Sequence, residues 1–82
     1  MNFHYDIQID FHGCTTIEVI PRLEELFFAE SSQSIMIIHG KGSGVLKKAV
    51  RDYVAGCTCI KGYDWGENLN IPGADGITIV YT

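Results

Sequence analysis

Residues 35–46 of this 82-residue chain read Ile35-Met36-Ile37-Ile38-His39-Gly40-Lys41-Gly42-Ser43-Gly44-Val45-Leu46. An apolar run that stops at a histidine and a glycine is typical of a strand buried on both faces, and the residues after Gly44 have the apolar spacing of a helix. The intervening glycines let backbone amides crowd at the start of that helix, where an anion is favoured. The stretch therefore predicts a strand, an anion-binding loop and a helix, in that order.

A second strand near the N-terminus ends in the same way. Residues 5–11 alternate between apolar and polar side chains, which is the period of a half-buried strand, and His12-Gly13 follow at once. Thr15 and Glu18 have the spacing of a capping box, in which each side chain bonds the other's backbone amide. We predict a helix from Thr15 to about Ala29, with Pro21 inside its first turns.

The remaining elements follow from the same patterns. We predict strands at Ser34–Ile38, Cys57–Tyr63 and Ile77–Tyr81, and a second helix from about Gly44 to Val54. The order βαβαββ makes residues 1–82 a single α/β domain with a mixed four-stranded sheet. Because helices connect the first strands through right-handed crossovers, these strands pair in parallel and bring His12 and His39 to one edge of the sheet.

Charge is divided unevenly along the chain, whose net charge is −4. Residues 41–61 hold five bases against Asp52 alone, and the rest of the chain holds one base against nine acids. The five bases are Lys41, Lys47, Lys48, Arg51 and Lys61. One reading is a basic surface for nucleic acid, and the other is the ordinary solvated face of the second helix.

Composition excludes several classes of protein. No apolar run approaches the roughly 20 residues of a membrane span, and the first residues lack the layout of a signal peptide, so we expect a cytoplasmic protein without a membrane partner. Three cysteines cannot all pair within the chain, and we expect reduced thiols.

The glycine loop is the first candidate site. Its residues Gly40, Lys41, Gly42, Ser43 and Gly44 place a glycine at every second position, which costs backbone entropy that a plain connection does not require. The loop has neither the Walker A spacing nor the dinucleotide-binding pattern. Phosphate binding and a tight structural turn both explain it.

The two histidines are the second candidate site. Either ring alone is typical of a structural histidine, but His12 and His39 together offer a general acid and a general base beside the glycine loop. Asp10 lies two residues before His12 on the same strand face, where its carboxylate could orient the imidazole or share a divalent cation with it. These are the groups that phosphodiester cleavage needs.

Three ordered motifs resemble the Smr (small MutS-related) domain family. Ile9-Asp10-Phe11-His12-Gly13 is similar to the family's Leu-Asp-Leu-His-Gly, and His39-Gly40-Lys41-Gly42-Ser43-Gly44 is similar to its His-Gly-x-Gly with the usual extension. Residues 72–80 resemble its closing glycine-rich turn and last strand. The resemblance implies a two-layer α/β sandwich related to the C-terminal domain of bacterial translation initiation factor three. It also implies a nicking endonuclease acting on DNA or RNA, usually with a divalent metal, Mg²⁺ or Mn²⁺.

Carried over residue by residue, the resemblance assigns the family's functional positions to Asp10, His12, His39 and the loop from Gly40 to Gly44. Our leading hypothesis is a domain that binds DNA or RNA and nicks it in a structure-selective way, with Lys47, Lys48 and Arg51 extending the phosphate-binding surface. Asp10 and His12 are the candidate metal ligands. The alternative is a non-catalytic module that binds nucleic acid or a protein through the same edge.

Overall fold

A computed structural model describes residues 5–29, 32–40, 42–68 and 74–82. The elements are β1 (Ile7–Asp10), α1 (Thr16–Phe27), β2 (Ser34–Ile38), α2 (Val45–Gly56), β3 (Gly62–Trp65) and β4 (Ile77–Tyr81), with short 3-10 turns at Gly66–Asn68 and Ala74–Gly76. The sheet order is β1-β2-β4-β3. β1 and β2 are parallel, whereas β4 is antiparallel to β2 and to β3. The predicted mixed four-stranded α/β fold is confirmed.

Alternation within the strands places the main core between the sheet and the helices. Ile35 and Ile37 of β2 are fully buried against α1 and α2, and neighbouring Met36 lies on the opposite face in a smaller cluster with Ile79. The helices add buried aliphatic residues from α1 and α2, among them Leu23 and Val50. Both faces of β2 are therefore apolar, as its uninterrupted apolar run predicted.

Helix α1 contains Pro21, as the predicted helix start at Thr15 requires. Thr15 is the N-cap residue, but the predicted capping box is not formed: the Thr15 hydroxyl donates to the Glu18 carboxylate at 3.1 Å and makes no cap bond to a backbone amide. Pro21 is the sixth residue of this helix, so it lacks the N–H that would otherwise donate to the Ile17 carbonyl, and α1 continues to Phe27 without that bond.

The third strand lies later in the chain than predicted. We expected it at Cys57–Tyr63, and it is found at Gly62–Trp65. Residues 57–60 instead form the turn after α2, where the Cys57 amide bonds the Val54 carbonyl. Cys57, Cys59 and Ile60 pack against the core from this turn, so their apolar character reflects burial without strand pairing.

Neither helix can cross a bilayer, because each has only 12 residues in the part of the chain that the structure describes.

Candidate functional site

A cleft of about 370 Å³ lies where β1 and β2 end. It is lined by both His-Gly pairs, the described glycine loop and the first turn of α2, namely His12, Gly13, Cys14, His39, Gly40, Gly42, Ser43, Gly44 and Leu46. The parallel pairing of β1 with β2 produces this arrangement, since it brings both strand ends and both helix starts to one edge of the sheet. The two histidine motifs therefore share one cleft.

His12 is the exposed histidine of the cleft. Its ring lies against the loop, because Cδ2 is 3.4 Å from the position that a Cβ on Gly40 would occupy. Its backbone N–H donates to Asp10 Oδ1 at 2.8 Å, and the Phe11 N–H donates to the Ile38 carbonyl at 2.7 Å. The Asp10 carboxylate thus holds the turn by binding the backbone amide of His12, and this is the bond that connects the two residues.

His39 is the buried histidine, with 4% of its surface exposed. Its Nδ1 lies 2.9 Å from the Gly40 carbonyl oxygen, and its Nε2 lies 2.8 Å from Thr78 Oγ1. Burial lowers the pKa of His39 below its usual 6.5, and the positive charges of Arg51 and Lys47 lower it further, against the opposing effect of the Gly40 carbonyl. The ring is therefore neutral at physiological pH, with both nitrogens engaged.

The glycine loop has a backbone that ordinary residues rarely adopt. Gly40 has φ +77° and Gly44, which caps the start of α2, has φ +85°. The amides of His39 and Gly40 both donate to the Gly76 carbonyl at 3.0 Å, so the Gly40 amide is already bonded. The first amides of α2 have no partner within the helix and face the end where the cleft lies. Lys41, predicted to bind phosphate, lies outside the described residues.

Gly76 is a supporting residue that sequence reasoning treated only as part of a turn. A Cβ added there would lie 3.2 Å from Gly40 Cα and 3.3 Å from Gly40 C. The backbones of Gly76 and Gly40 are thus in contact, and Gly76 holds Gly40 in place. Its signals in the sequence were its position just before the last strand and its place in the glycine-rich turn within residues 72–80.

Arg51 of α2 is mostly buried, with 13% of its side chain exposed. Its guanidinium binds both carboxylate oxygens of Glu67, at 2.5 and 2.8 Å, and donates to the Ile77 carbonyl at 3.0 Å and to Thr78 Oγ1 at 3.1 Å. Its central carbon also lies 4.7 Å from the centre of the Trp65 ring. These partners hold the side chain inside the fold, although the sequence placed it on the nucleic-acid surface.

The two lysines of α2 also have acidic partners. Lys47 lies 3.4 Å from Glu67, and Lys48 pairs with Asp52 at 2.6 Å across one turn of the helix. Lys48 has 78% of its side chain exposed, and such surface pairs exchange readily with solvent. Contact with Arg51 lowers the pKa of Glu67 to about 2, so this acid stays charged and reduces the local positive charge. Sequence reasoning did not identify Glu67, because its partners lie 16 and 20 residues earlier in the chain.

Asp10 and His12 are the candidate metal ligands. One oxygen of Asp10 already accepts the His12 amide. Across residues 5–29, 32–40, 42–68 and 74–82 there is no group of three His, Cys, Asp or Glu side chains that could hold a metal ion. With the described residues alone, a cation at Asp10 would take further oxygens from substrate and water.

A larger depression of about 430 Å³ lies near the C-terminal ends of the helices. It is lined by Phe28, Asp52, Tyr53, Gly56, Cys57, Thr58 and Cys59. It contains neither histidine nor any residue of the glycine loop, and both helices turn their N-terminal ends away from it. By volume alone this depression would be the better candidate for a functional site. The converging polar groups that mark such a site, however, lie in the smaller cleft.

Comparison with known proteins matches most of the chain. The family model described as the Smr domain matches residues 9–82. The chain is 31% identical over 81 residues to the endonuclease MutS2 of Carboxydothermus hydrogenoformans, covering 95% of this chain and 10% of that protein. It is 36% identical over 77 residues to the endonuclease MutS2 of Lachnospira eligens, covering 89% of this chain and 9% of that protein. The chain thus spans about a tenth of the length of these relatives.

A solved structure shows the same fold. The crystal structure of the Smr domain of Thermus thermophilus MutS2 is similar with a TM-score of 0.70 and 22% identity, covering 90% of this chain and 94% of that one. The two-layer arrangement implied by the sequence resemblance is therefore confirmed at the level of the fold.

Proposed function

Because the chain belongs to the Smr domain family, we propose that it binds DNA or RNA at the cleft of His12 and the glycine loop and hydrolyses a phosphodiester bond there, nicking its substrate selectively by structure. The observation that carries this proposal is an exposed imidazole, that of His12, in the same cleft as the start of α2. The family match and the relatives described as endonucleases support a nuclease-type domain.

Phosphate binding is the first step of the proposal. The start of α2 offers backbone amides without helical partners, and the helix dipole favours negative charge at this end. Lys47 in the first turn is partly exposed, with 27% of its side chain accessible. Lys41 is assigned to the same role by its place in the loop sequence. A phosphate in the cleft would thus meet amides and positive charge together.

Proton transfer is the second step, and the structure favours His12 for it. Imidazole is the commonest general acid or base in enzymes, and a proton-transfer group must be within reach of the reacting atoms. His12 is exposed in the cleft, whereas both nitrogens of His39 are engaged with Gly40 and Thr78. In the proposed reaction a water oxygen attacks phosphorus, His12 takes the water proton, and the bond to the leaving oxygen breaks, after which that oxygen takes up a proton from solvent water.

A divalent cation, Mg²⁺ or Mn²⁺, belongs to the proposal as a charge-neutralising partner of the scissile phosphate. Mg²⁺ is commonly held by one or two carboxylates together with substrate phosphate and water. Asp10 would supply the carboxylate. His12 is the second candidate ligand, as the alternative to its role as the base, because an imidazole nitrogen that binds a cation cannot also accept the water proton.

The experiment is a nicking assay on purified domain with branched, single-stranded and duplex DNA and with RNA. Each substrate is incubated with Mg²⁺, with Mn²⁺ and with EDTA. We expect cutting that His12→Ala abolishes and that Arg22→Ala retains, since Arg22 lies on α1 and pairs with Glu25 outside the cleft. Equal cutting by the His12→Ala protein would trace the activity to a contaminant and overturn the proposal.

Binding without cutting would favour the alternative, a non-catalytic module. Affinity for the same substrates would then be measured from about 50 to 200 mM salt, because phosphate contacts make affinity fall steeply with salt. A slope near zero would point to a protein partner instead of nucleic acid.

A further inference from the structure

A continuous set of hydrogen bonds connects helix α2 to the glycine loop through the interior of the fold. Arg51 Nε lies 3.1 Å from Thr78 Oγ1, Thr78 Oγ1 lies 2.8 Å from His39 Nε2, and His39 Nδ1 lies 2.9 Å from the Gly40 carbonyl. Thr78 is fully buried, and His39 is nearly so. Glu67 fixes the outer end by binding two nitrogens of Arg51.

The chemistry of the two ends decides where each proton lies. Arginine has donors and no acceptor, so Thr78 Oγ1 accepts from Arg51. The Gly40 carbonyl can only accept, so His39 Nδ1 carries a proton. In a neutral ring Nε2 is then bare, and it accepts the proton of the Thr78 hydroxyl. All the bonds therefore run in one direction, from Arg51 to Gly40.

The surroundings of His39 keep this arrangement neutral. A second proton would sit on Nε2, leave the Thr78 hydroxyl proton without its acceptor, and place a cation beside Arg51 and Lys47. The negative charge of Glu67 favours a proton on His39, but its carboxylate is already bound to Arg51. His12, from the β1 end of the cleft, approaches Gly40 from the exposed side.

We propose that Arg51 and Thr78 are positioning residues, which hold His39 as the neutral tautomer with its proton on Nδ1 and so clamp the Gly40 carbonyl at the start of the glycine loop. Arg51 thereby acts on the phosphate site from inside the protein, without touching nucleic acid. The inference rests on the proposed function only in taking this loop as the phosphate site.

The test is the protonation state of His39, read from long-range proton–nitrogen correlations of ¹⁵N-labelled protein. In the wild-type chain at pH 7 we expect Nδ1 protonated and Nε2 unprotonated. Thr78→Val removes the hydroxyl at nearly constant volume, and we expect loss of the single-tautomer pattern together with shifted amide signals of Gly42 and Gly44. Thr78→Ser restores the hydroxyl and should restore both signals.

Arg51 has its own matched pair of variants. Arg51→Lys replaces the planar donor group, and we expect it to weaken the Nδ1–H preference of His39. Arg22→Lys makes the same change on exposed α1 and should leave the His39 signals unchanged.

A His39 ring that is charged at pH 7, or that carries its proton on Nε2, would overturn the proposal, and this measurement needs no variant. Unchanged His39 and loop signals in Thr78→Val would overturn it as well. A domain that neither binds nor cuts nucleic acid would still give the expected spectra, so failure of the proposed function is recognised separately.

Discussion

The Gly76 carbonyl accepts hydrogen bonds from both His39 and Gly40 at 3.0 Å, and Gly76 itself is in backbone contact with Gly40. The start of β4 is thereby joined to the end of β2 at the floor of the cleft. Gly40 and Gly76, which are 36 residues apart in sequence, thus fix the start of the glycine loop together. The loop is therefore supported by tertiary contacts in addition to its own glycines.

Gly76→Ala should destabilise the fold through this contact. The new Cβ would meet backbone atoms of Gly40 at 3.2 and 3.3 Å, and backbone cannot move aside as a flexible side chain does. We expect a loss of about 1–3 kcal/mol in the free energy of unfolding, the usual range for overpacking. Urea unfolding monitored by Trp65 fluorescence measures it.

Gly56→Ala is the matched control, because a Cβ at this helical position meets nothing within 4 Å. It should leave stability unchanged or raise it by up to about 1 kcal/mol. Equal unfolding curves for Gly76→Ala and wild type would mean that the close approach to Gly40 does not constrain the loop.

The free energy of unfolding should decrease as the pH falls below about 6.5, because folded His39 resists protonation. The pKa of His39 is lowered in the fold from 6.5, so the unfolded chain binds a proton at this residue more readily than the folded one. The stabilising contribution of neutral His39 is complete above pH 6.5 and is lost as the pH falls through the folded-state value. Denaturant midpoints measured between pH 7.5 and 5 test this.

In His39→Gln the part of this pH dependence that comes from His39 should disappear, leaving a flatter curve between pH 7.5 and 5. If the slope is the same in both proteins, the loss of stability comes from other groups.

Sequence patterns predicted most of the fold and the convergence of the two histidine motifs, because strand alternation and helix spacing are local properties. They misplaced β3, since Cys57 and Cys59 are apolar through burial in a turn rather than through pairing. They also did not reveal the partners of Arg51. On the helix pattern Arg51 resembles Lys48, and only the packing of Glu67 and Trp65 against α2 separates a buried arginine from an exposed lysine.

Lys41→Ala should weaken nucleic-acid binding with little change in stability. The prediction follows from the sequence, which places a lysine between two glycines at the start of the loop. Loss of one phosphate contact lowers the salt slope of the affinity by about one unit. Melting temperature and affinity at several salt concentrations measure the two effects. A sharp fall in melting temperature with unchanged affinity would identify the loop as a structural turn only.

Lys48→Gln and Arg51→Gln should separate surface charge from internal support. Lys48 is 78% exposed and pairs with Asp52 across one helical turn, so its removal should change the unfolding free energy by less than about 0.5 kcal/mol. If Lys48 lies on the nucleic-acid surface, the salt slope of the affinity should fall by about one unit.

Arg51→Gln leaves Glu67 without its bidentate partner and Thr78 without its donor, and hydrogen bonds to charged groups are worth about 1.5–3 kcal/mol.

We therefore expect Arg51→Gln to lower the unfolding free energy by about 2 kcal/mol, while the salt slope of the remaining folded protein stays close to wild type. Urea unfolding and fluorescence anisotropy on a labelled oligonucleotide give the two quantities for each variant. The reverse pattern, a smaller salt slope with unchanged stability in Arg51→Gln, would show that the arginine leaves Glu67 to contact phosphate. In that case the basic residues of α2 form one binding surface, as the sequence alone suggested.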